Sequence, residues 1–456
     1  MNWQGKKVVV LGLGESGLSA TRLLVPRGVE VTVMDEFDNA QVRARASQAE
    51  ALGARVLVGS AALAPFSGVD LAVLSPGIDP RKPLVGNFMR MGVPVWSELE
   101  LAYRFCECPV VAITGTNGKT TTTELTHAVF EAAGKRSCAA GNIGYALSDA
   151  VQRSHEMDVM VVEASSFQLE RVIEFKPRIA AFLNLTPDHM DRYPDMYEYR
   201  AAKMRIFLNQ DSSDYGIVHA SLLPVKIPSK MIAFSARGHA ADYTYEGGDI
   251  CWKGRCVLPF HKTRLRGLHN AENAMVAMAA GHIYGLDERL IIEALVEYRP
   301  AAHRCELVAE VGGVEYINDS KATNPDAVEV ALISQTRPVV LIAGGKNKGL
   351  SFDSLSATIN SKTKGVVLIG ESAPLMREAW GDERCVMAKD MAEAVRLASG
   401  MAAPGDTVLL SPACASFDMF KDYADRGSQF RKLVLDMARS RIMLQKNKNT
   451  DTKGKP

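Results

Sequence analysis

The stretch Val110–Leu125, VVAITGTNGKTTTTEL, decides how this chain is read. An apolar, β-branched run ends in two glycines, a lysine and a block of threonines, and a helical pattern follows. Such a stretch offers free backbone N–H groups at a helix N-terminus, a lysine for the β- and γ-phosphates and a hydroxyl for Mg²⁺. The usual phosphate loop, G-x-x-x-x-G-K-[ST], requires a glycine at position 113. Ile113 stands there instead, and the nearest glycine is Gly115. The working parts remain. Gly115, Thr116, Asn117, Gly118, Lys119, Thr120 and Thr121 are therefore expected to bind ATP on a loop of different shape.

Working outward, the same rhythm recurs. Short apolar runs such as KKVVVLGLGESG, MDVMVVEASS, IAAFLNLTPDH, RPVVLIAGGKNKG and DTVLLSPACAS end in small or polar residues. They read as strands buried on both faces, and helical patterns lie between many of them. This predicts an α/β fold of mostly parallel sheets, with ligands bound at the carboxyl ends of strands. The region from Asp242 to Arg266 alternates polar and aromatic residues and reads as a small antiparallel addition. At 456 residues the chain is long enough for about three domains. Their expected bounds are 1–97, 98–300 and 301–456, with a polar tail over 443–456 expected to be disordered.

The first strand leads into Gly12-x-Gly14-x-x-Gly17, and Asp35 follows eighteen residues after Gly17. This is the dinucleotide fingerprint in its expected context of strand, helix, strand and acid. It implies a diphosphate at a helix N-terminus without saying which nucleotide carries it. A nicotinamide dehydrogenase is one reading of it.

Composition excludes other classes. The net charge is +1, so no overall basic field recruits nucleic acid or a membrane surface. No run of about 18 apolar residues occurs, which argues against a membrane span. The eight cysteines are scattered and read as reduced thiols of a cytoplasmic protein. Cys106 and Cys108 lack a C-x-x-C partner, so zinc is not expected.

T-G-T-N-G-K-T resembles the Mur ligase family of ATP-dependent amide-forming enzymes. Other stretches agree in order along nearly the whole chain: GNIG, EASSFQLE, NLTPDHMDRY, YRAAKMRIF, HNAEN, HRCE, NDSKATN and SPACASFD. The segment SSFQL resembles the branch that adds D-glutamate to UDP-N-acetylmuramoyl-L-alanine in cytoplasmic peptidoglycan precursor synthesis. The resemblance implies a dinucleotide-binding-like N-terminal domain, a P-loop ATPase-like central domain and a dinucleotide-binding-like C-terminal domain. It implies two nucleotides in one protein, the UDP of the sugar substrate on the first turn and ATP on the second. It also implies activation of the alanyl carboxylate as an acyl phosphate, which the amine of D-glutamate attacks.

Residue by residue, the resemblance places Lys119, Glu163, His189 and Lys203 in catalysis. Two Mg²⁺ ions are implied. Thr120 and Glu163 stand by the first; His189 and an N-carbamylated Lys203 stand by the second. Asn273, Arg304 and Asp319 would contact ATP. Gly14, Glu15, Ser16, Gly17, Asp35, Ser75, Pro76, Gly77 and Asn142 would hold the UDP-sugar. Lys321, Thr323, Lys348, Ser416 and Tyr423 would form the D-glutamate pocket. Acyl phosphate chemistry needs no thiol nucleophile, so Cys414 reads as a packed thiol. Departures from the family pattern are Lys346, Tyr423 and the pair Glu36–Phe37. A sister ligase that adds another amino acid is the alternative within the family. A non-enzymatic nucleotide-binding protein would leave Lys119, Glu163, His189 and Lys203 without a task. A monomer without membrane insertion or nucleic-acid partner is expected.

Overall fold

The computed structural model describes residues 2–64 and 66–451, with only the backbone described over 442–451. It divides into two compact units. The first comprises Met1–Leu185, Asp195–Thr263 and Ala271–Tyr298. The second comprises Thr186–Pro194, Arg264–Asn270 and the chain from Arg299 onward.

The first unit holds two sheets. One has five parallel strands, β1 (Lys7–Leu11), β2 (Glu30–Asp35), β3 (Arg55–Val58), β4 (Leu71–Leu74) and β5 (Val95–Ser97), in the order β3-β2-β1-β4-β5. The order reverses between β1 and β4, which opens a crevice at their carboxyl ends. Gly17 lies in the helix Glu15–Leu24 so close to β1's exit that a Cβ there would sit 1.9 Å from the Gly12 carbonyl. Only glycine lets strand and helix approach this closely.

The other sheet has β6 (Val110–Thr114), β7 (Ser137–Gly141), β8 (Val159–Glu163), β9 (Ile179–Phe182), β10 (Tyr215–His219) and β11 (Lys230–Ser235), all parallel. The meander β12 (Tyr243–Glu246), β13 (Asp249–Trp252) and β14 (Arg255–Pro259) extends it, antiparallel as its alternating pattern implied. The order is β14-β13-β12-β11-β10-β9-β6-β8-β7. Central β6 is flanked by β8 and β9, with Ile113 opposite Glu163 and Thr114 opposite Phe182. Three carboxyl ends therefore meet at the phosphate loop. Ile113 is a fully buried strand residue, which is why the loop begins two residues later than in the common form.

The second unit holds six strands, β15 (Glu306–Val311), β16 (Val314–Asn318), β17 (Val339–Gly344), β18 (Thr363–Ile369), β19 (Cys385–Met387) and β20 (Thr407–Leu410). Their order is β15-β16-β20-β17-β18-β19, and only β15 runs antiparallel to its neighbour.

Two expectations are corrected. Cys251 and Cys256 are paired as a disulfide across the hairpin, where β13 and β14 place them directly opposite each other. Sequence spacing alone did not reveal that hairpin register. The backbone of the tail is helical through Asp451, as a continuation of the helix that begins at Tyr423. The first turns of that helix are anchored by buried Phe430 and Val434, and after Gly427 in its first turns no glycine or proline interrupts it before Gly454. The remainder of the expected disordered tail, 452–456, lies outside the described residues.

Candidate active site

The phosphate loop is shaped by neighbours on both sides. Gly118 has φ +83°, and a Cβ there would lie 2.5 Å from Asn273 Oδ1. A Cβ on Gly115 would lie 2.9 Å from Leu183 Cβ. Asn184, just beyond β9, braces the loop through its side chain. Its Oδ1 accepts from the Thr116 N–H at 3.1 Å and the Asn117 N–H at 2.9 Å, and its Nδ2 donates to the Asn117 carbonyl at 3.0 Å. Lys119 opens the helix Lys119–Ala132 and donates to the carbonyls of Gly115 (3.0 Å) and Thr116 (2.8 Å). Asn273 accepts from Thr122 Oγ1 at 3.0 Å, which ties the helix after the loop to the helix Leu268–Ile283.

Oxygen donors gather beside the loop. Thr120 Oγ1 donates to Glu163 Oε2 at 2.7 Å, and Asn142 Nδ2 donates to Glu163 Oε1 at 2.8 Å. Glu163 is buried at the end of β8. Among the described residues no group of three or more His, Cys, Asp or Glu is arranged to hold a metal. The set here is a hydroxyl and a carboxylate, hard donors that suit Mg²⁺ shared with phosphate oxygens and water. Lys203 is 1% exposed near the end of the helix Met196–Met204, where Asp195 caps the first turn. Its Nζ donates to the Gly115 carbonyl at 2.7 Å and lies 4.5 Å from the centre of the Tyr199 ring. Tyr199 and Lys203, four residues apart on one face of this helix, are both buried, and this face packs under the phosphate loop.

The first glycine turn is built differently. Asp35 spends both oxygens on backbone: Oδ2 accepts from Leu13 N–H at 2.8 Å and Oδ1 from Phe37 N–H at 3.0 Å. The expected contact of Asp35 with the UDP-sugar would have to share that carboxylate. Ser75 Oγ donates to the Gly12 carbonyl at 3.3 Å, so Ser75, Pro76 and Gly77 lie across the crevice from Gly14–Gly17. Glu15 pairs with Arg22, which also grips Asp149 at 2.7 Å. Asn142, expected on the sugar substrate, stands with Thr120 and Glu163.

The second unit brings its predicted residues together at the carboxyl ends of β16, β17 and β20. Asp319 Oδ2 accepts from Ser411 Oγ at 2.9 Å and its Oδ1 from Cys305 N–H at 3.1 Å. Burial pushes the Asp319 carboxyl up to about 7; these hydrogen bonds and nearby Arg304 oppose the shift without cancelling it. Lys321 Nζ lies 3.7 Å over the Tyr423 ring. Lys348 Nζ donates to Thr323 Oγ1 at 3.4 Å. His189 adopts φ +58°, a conformation few non-glycine residues take. Its carbonyl accepts from the Arg192 and Tyr193 N–H groups, both at 3.0 Å. Cys414 is buried, and burial pushes its thiol up to about 11, as befits a packed thiol.

Two residues carry weight that the sequence reading did not assign. One is Asn184, which stands in the quoted NLTPDHMDRY stretch but received no role. The other is Arg426, fully buried and, among the described residues, without a carboxylate in ion-pair range. Its guanidinium donates to Ser320 Oγ (3.0 Å), Ser320 O (2.8 Å) and Cys414 O (3.1 Å). It thereby fastens the loop of Lys321 to the loop of Ser416. Burial lowers its affinity for its proton to a pKa of about 10, so it stays charged at neutral pH.

Comparison with known proteins extends over nearly the whole chain. Residues 6–97 match the MurD-like N-terminal domain of Mur ligases, 113–281 the Mur ligase middle domain, and 303–414 the Mur ligase glutamate ligase domain. A UDP-N-acetylmuramoylalanine–D-glutamate ligase from Pelotomaculum thermopropionicum is 42% identical over 445 residues, covering 95% of this chain and 98% of that protein. One from Geobacter metallireducens is 40% identical over 446 residues, with the same coverage. Among solved structures, UDP-N-acetylmuramate–alanine ligase MurC from Thermotoga maritima superposes with a TM-score of 0.61 at 19% identity, covering 94% of this chain and 99% of that one. MurF ligase from Thermotoga maritima in complex with ADP gives 0.62 at 15% identity, covering 90% and 96%. These two likenesses concern the fold.

Proposed function

The chain belongs to the Mur ligase family, and from that premise we propose that it joins D-glutamate to UDP-N-acetylmuramoyl-L-alanine with cleavage of ATP to ADP and phosphate. The observation that carries this reading is the pair of phosphate-binding turns within one compact unit, one with a lysine and one without. A ligase that activates a UDP-sugar substrate with ATP needs both. A nicotinamide dehydrogenase would leave Lys119 and Glu163 without a task, and the relatives matched are ligases.

The reaction brings an anionic carboxylate to an anionic γ-phosphate, so positive charge must be in place before they meet. Lys119 is the cation of the loop, and on ATP binding its donors would turn from loop carbonyls to phosphate oxygens. The loop N–H groups and the helix N-terminus hold the remaining phosphates. Thr120 and Glu163 would hold Mg²⁺, which supplies further charge neutralisation when bound. Lys203, if carbamylated as the family resemblance implies, would exchange a buried cation for an anionic metal ligand, and a second ion belongs to this part of the proposal. Gly14–Gly17 and Ser75–Gly77 would receive the UDP diphosphate, with Asp35 holding their turn closed. In the second unit, Lys321, Thr323, Lys348, Ser416 and Tyr423 would bind D-glutamate, His189 is assigned to metal, and Arg304 and Asp319 to the nucleotide. The amine of D-glutamate attacks the acyl phosphate and phosphate leaves.

We place the protein in the cytoplasm as a monomer; no described helix is long and apolar enough to cross a membrane. Phosphate release assayed with UDP-N-acetylmuramoyl-L-alanine against a panel of amino acids tests the function. Turnover only with D-glutamate is expected. Preference for another amino acid would favour a sister ligase, and no release with any would overturn the reading.

A further inference from the structure

We propose that Asp188 is a positioning residue for D-glutamate, acting by fixing the Lys348 ammonium that receives the amino acid; this rests on the D-glutamate pocket proposed above. Asp188 is 5% exposed. Its carboxylate gathers three separate segments of the second unit. Oδ1 accepts from the His189 N–H at 2.9 Å and faces Lys348 Nζ at 3.6 Å. Oδ2 accepts from Asn324 Nδ2 at 3.2 Å. Asn324 in turn caps the helix Pro325–Ile333, where its Oδ1 accepts from the Ala327 N–H at 2.9 Å.

A lysine head on a four-carbon stem samples many rotamers, and ordering it costs entropy each time a ligand binds. Here the ordering is done in advance. The Lys348 ammonium pairs with the Asp188 carboxylate at 3.6 Å and donates to Thr323 Oγ1 at 3.4 Å. An ammonium has three donors, so an ion pair and one hydrogen bond restrict where the head can sit and leave donors for a substrate carboxylate. Removing Asp188's charge frees the head and leaves D-glutamate to order it. The same carboxylate holds the backbone of His189 at φ +58°, so the pocket and the His189 backbone share one brace.

The test compares steady-state constants of wild type, D188N and D188E for all three substrates, with thermal melts. D188N is expected to raise KM for D-glutamate about tenfold, the size of one well-placed charged contact. KM for ATP and for the UDP-sugar should stay within about twofold. D188E restores the charge and should recover part of the loss. In a K348M background, D188N should add nothing further to KM for D-glutamate. A purely structural role would lower the melting temperature and move all three constants together, with no recovery in D188E. An unchanged or lower KM for D-glutamate in folded D188N overturns the proposal. Wild-type turnover with D-glutamate is measured alongside, so its absence would instead count against the functional reading beneath.

Discussion

The two glycine turns of the first unit solve the same problem with opposite charges. Each follows a parallel strand, opens a helix and presents backbone N–H groups. Each is braced by a polar side chain from the end of a neighbouring strand that accepts two N–H groups of the chain around it. At the first turn the brace is a carboxylate, Asp35, and the sequence GLGESG carries no cation. At the second the brace is an amide, Asn184, and the loop carries Lys119. With the ligands proposed above, UDP at the first turn and ATP at the second, the difference follows from what each phosphate does. A UDP diphosphate is only held, and helix-end donors suffice. The γ-phosphate of ATP is transferred, so charge moves during the reaction. A carboxylate brace beside it would oppose the cation placed there to meet that charge.

The largest effect should come from removing that cation. Lys119→Ala is expected to lower kcat by about 10²- to 10³-fold, the range for losing one strong transition-state donor. Circular dichroism should be unchanged, because Lys119 is partly exposed and its bonds to the Gly115 and Thr116 carbonyls lie within its own loop. Near-wild-type phosphate release would mean the two turns do not differ in the way described.

How much of this was legible beforehand divides along the same line. The strands, both turns and the helix after each are local patterns of a few residues, and each was readable in the sequence. The bracing was not. Asn184 reaches back 67 residues to Asn117, and Arg426 reaches 106 to Ser320. Neither contact leaves a periodicity. Asn184 announces itself only as a polar residue after a buried strand, a position it shares with many residues that do nothing. Asp35 was legible as an acid at the right spacing, yet its two backbone bonds were not, since spacing places a side chain without saying which way it turns. The disulfide of Cys251 and Cys256 likewise depends on a hairpin register that a short polar–aromatic alternation leaves open.

Exchanging the braces sharpens the comparison. Asn184→Asp keeps acceptors for the Thr116 and Asn117 N–H groups, loses the donor to the Asn117 carbonyl and sets a negative charge beside the loop. We expect kcat/KM for ATP to fall about 10- to 100-fold, from a lost hydrogen bond and an added like charge near phosphate. KM for the UDP-sugar should not move. The reciprocal change, Asp35→Asn, turns one acceptor into a donor that faces an N–H group. Its expected cost is about tenfold in kcat/KM for the UDP-sugar, with KM for ATP unchanged. If both variants impair both substrates equally, the turns are coupled through their shared unit and charge is not what separates them.

The smallest effect is a test of acids at strand ends, and it is read in stability. Asp319, like Asp35, stands at the end of a buried strand, is buried and accepts two hydrogen bonds, but one of its donors is a hydroxyl. Burial raises its carboxyl to about 7. In the unfolded chain the same group titrates near about 3.9. Between these values the unfolded state has released a proton that the folded state still binds. Folding therefore loses stability as pH rises from about 4 to about 7, and the loss levels off above the folded pKa. Asp319→Asn does not titrate and lacks this slope. The melting temperature of the variant relative to wild type should rise across that window by about 2–4 °C and then hold constant. A gap that stays flat from pH 4.5 to 8 would show Asp319 ionised throughout. It would then be an acid held as Asp35 is held, by its hydrogen bonds and not by its burial.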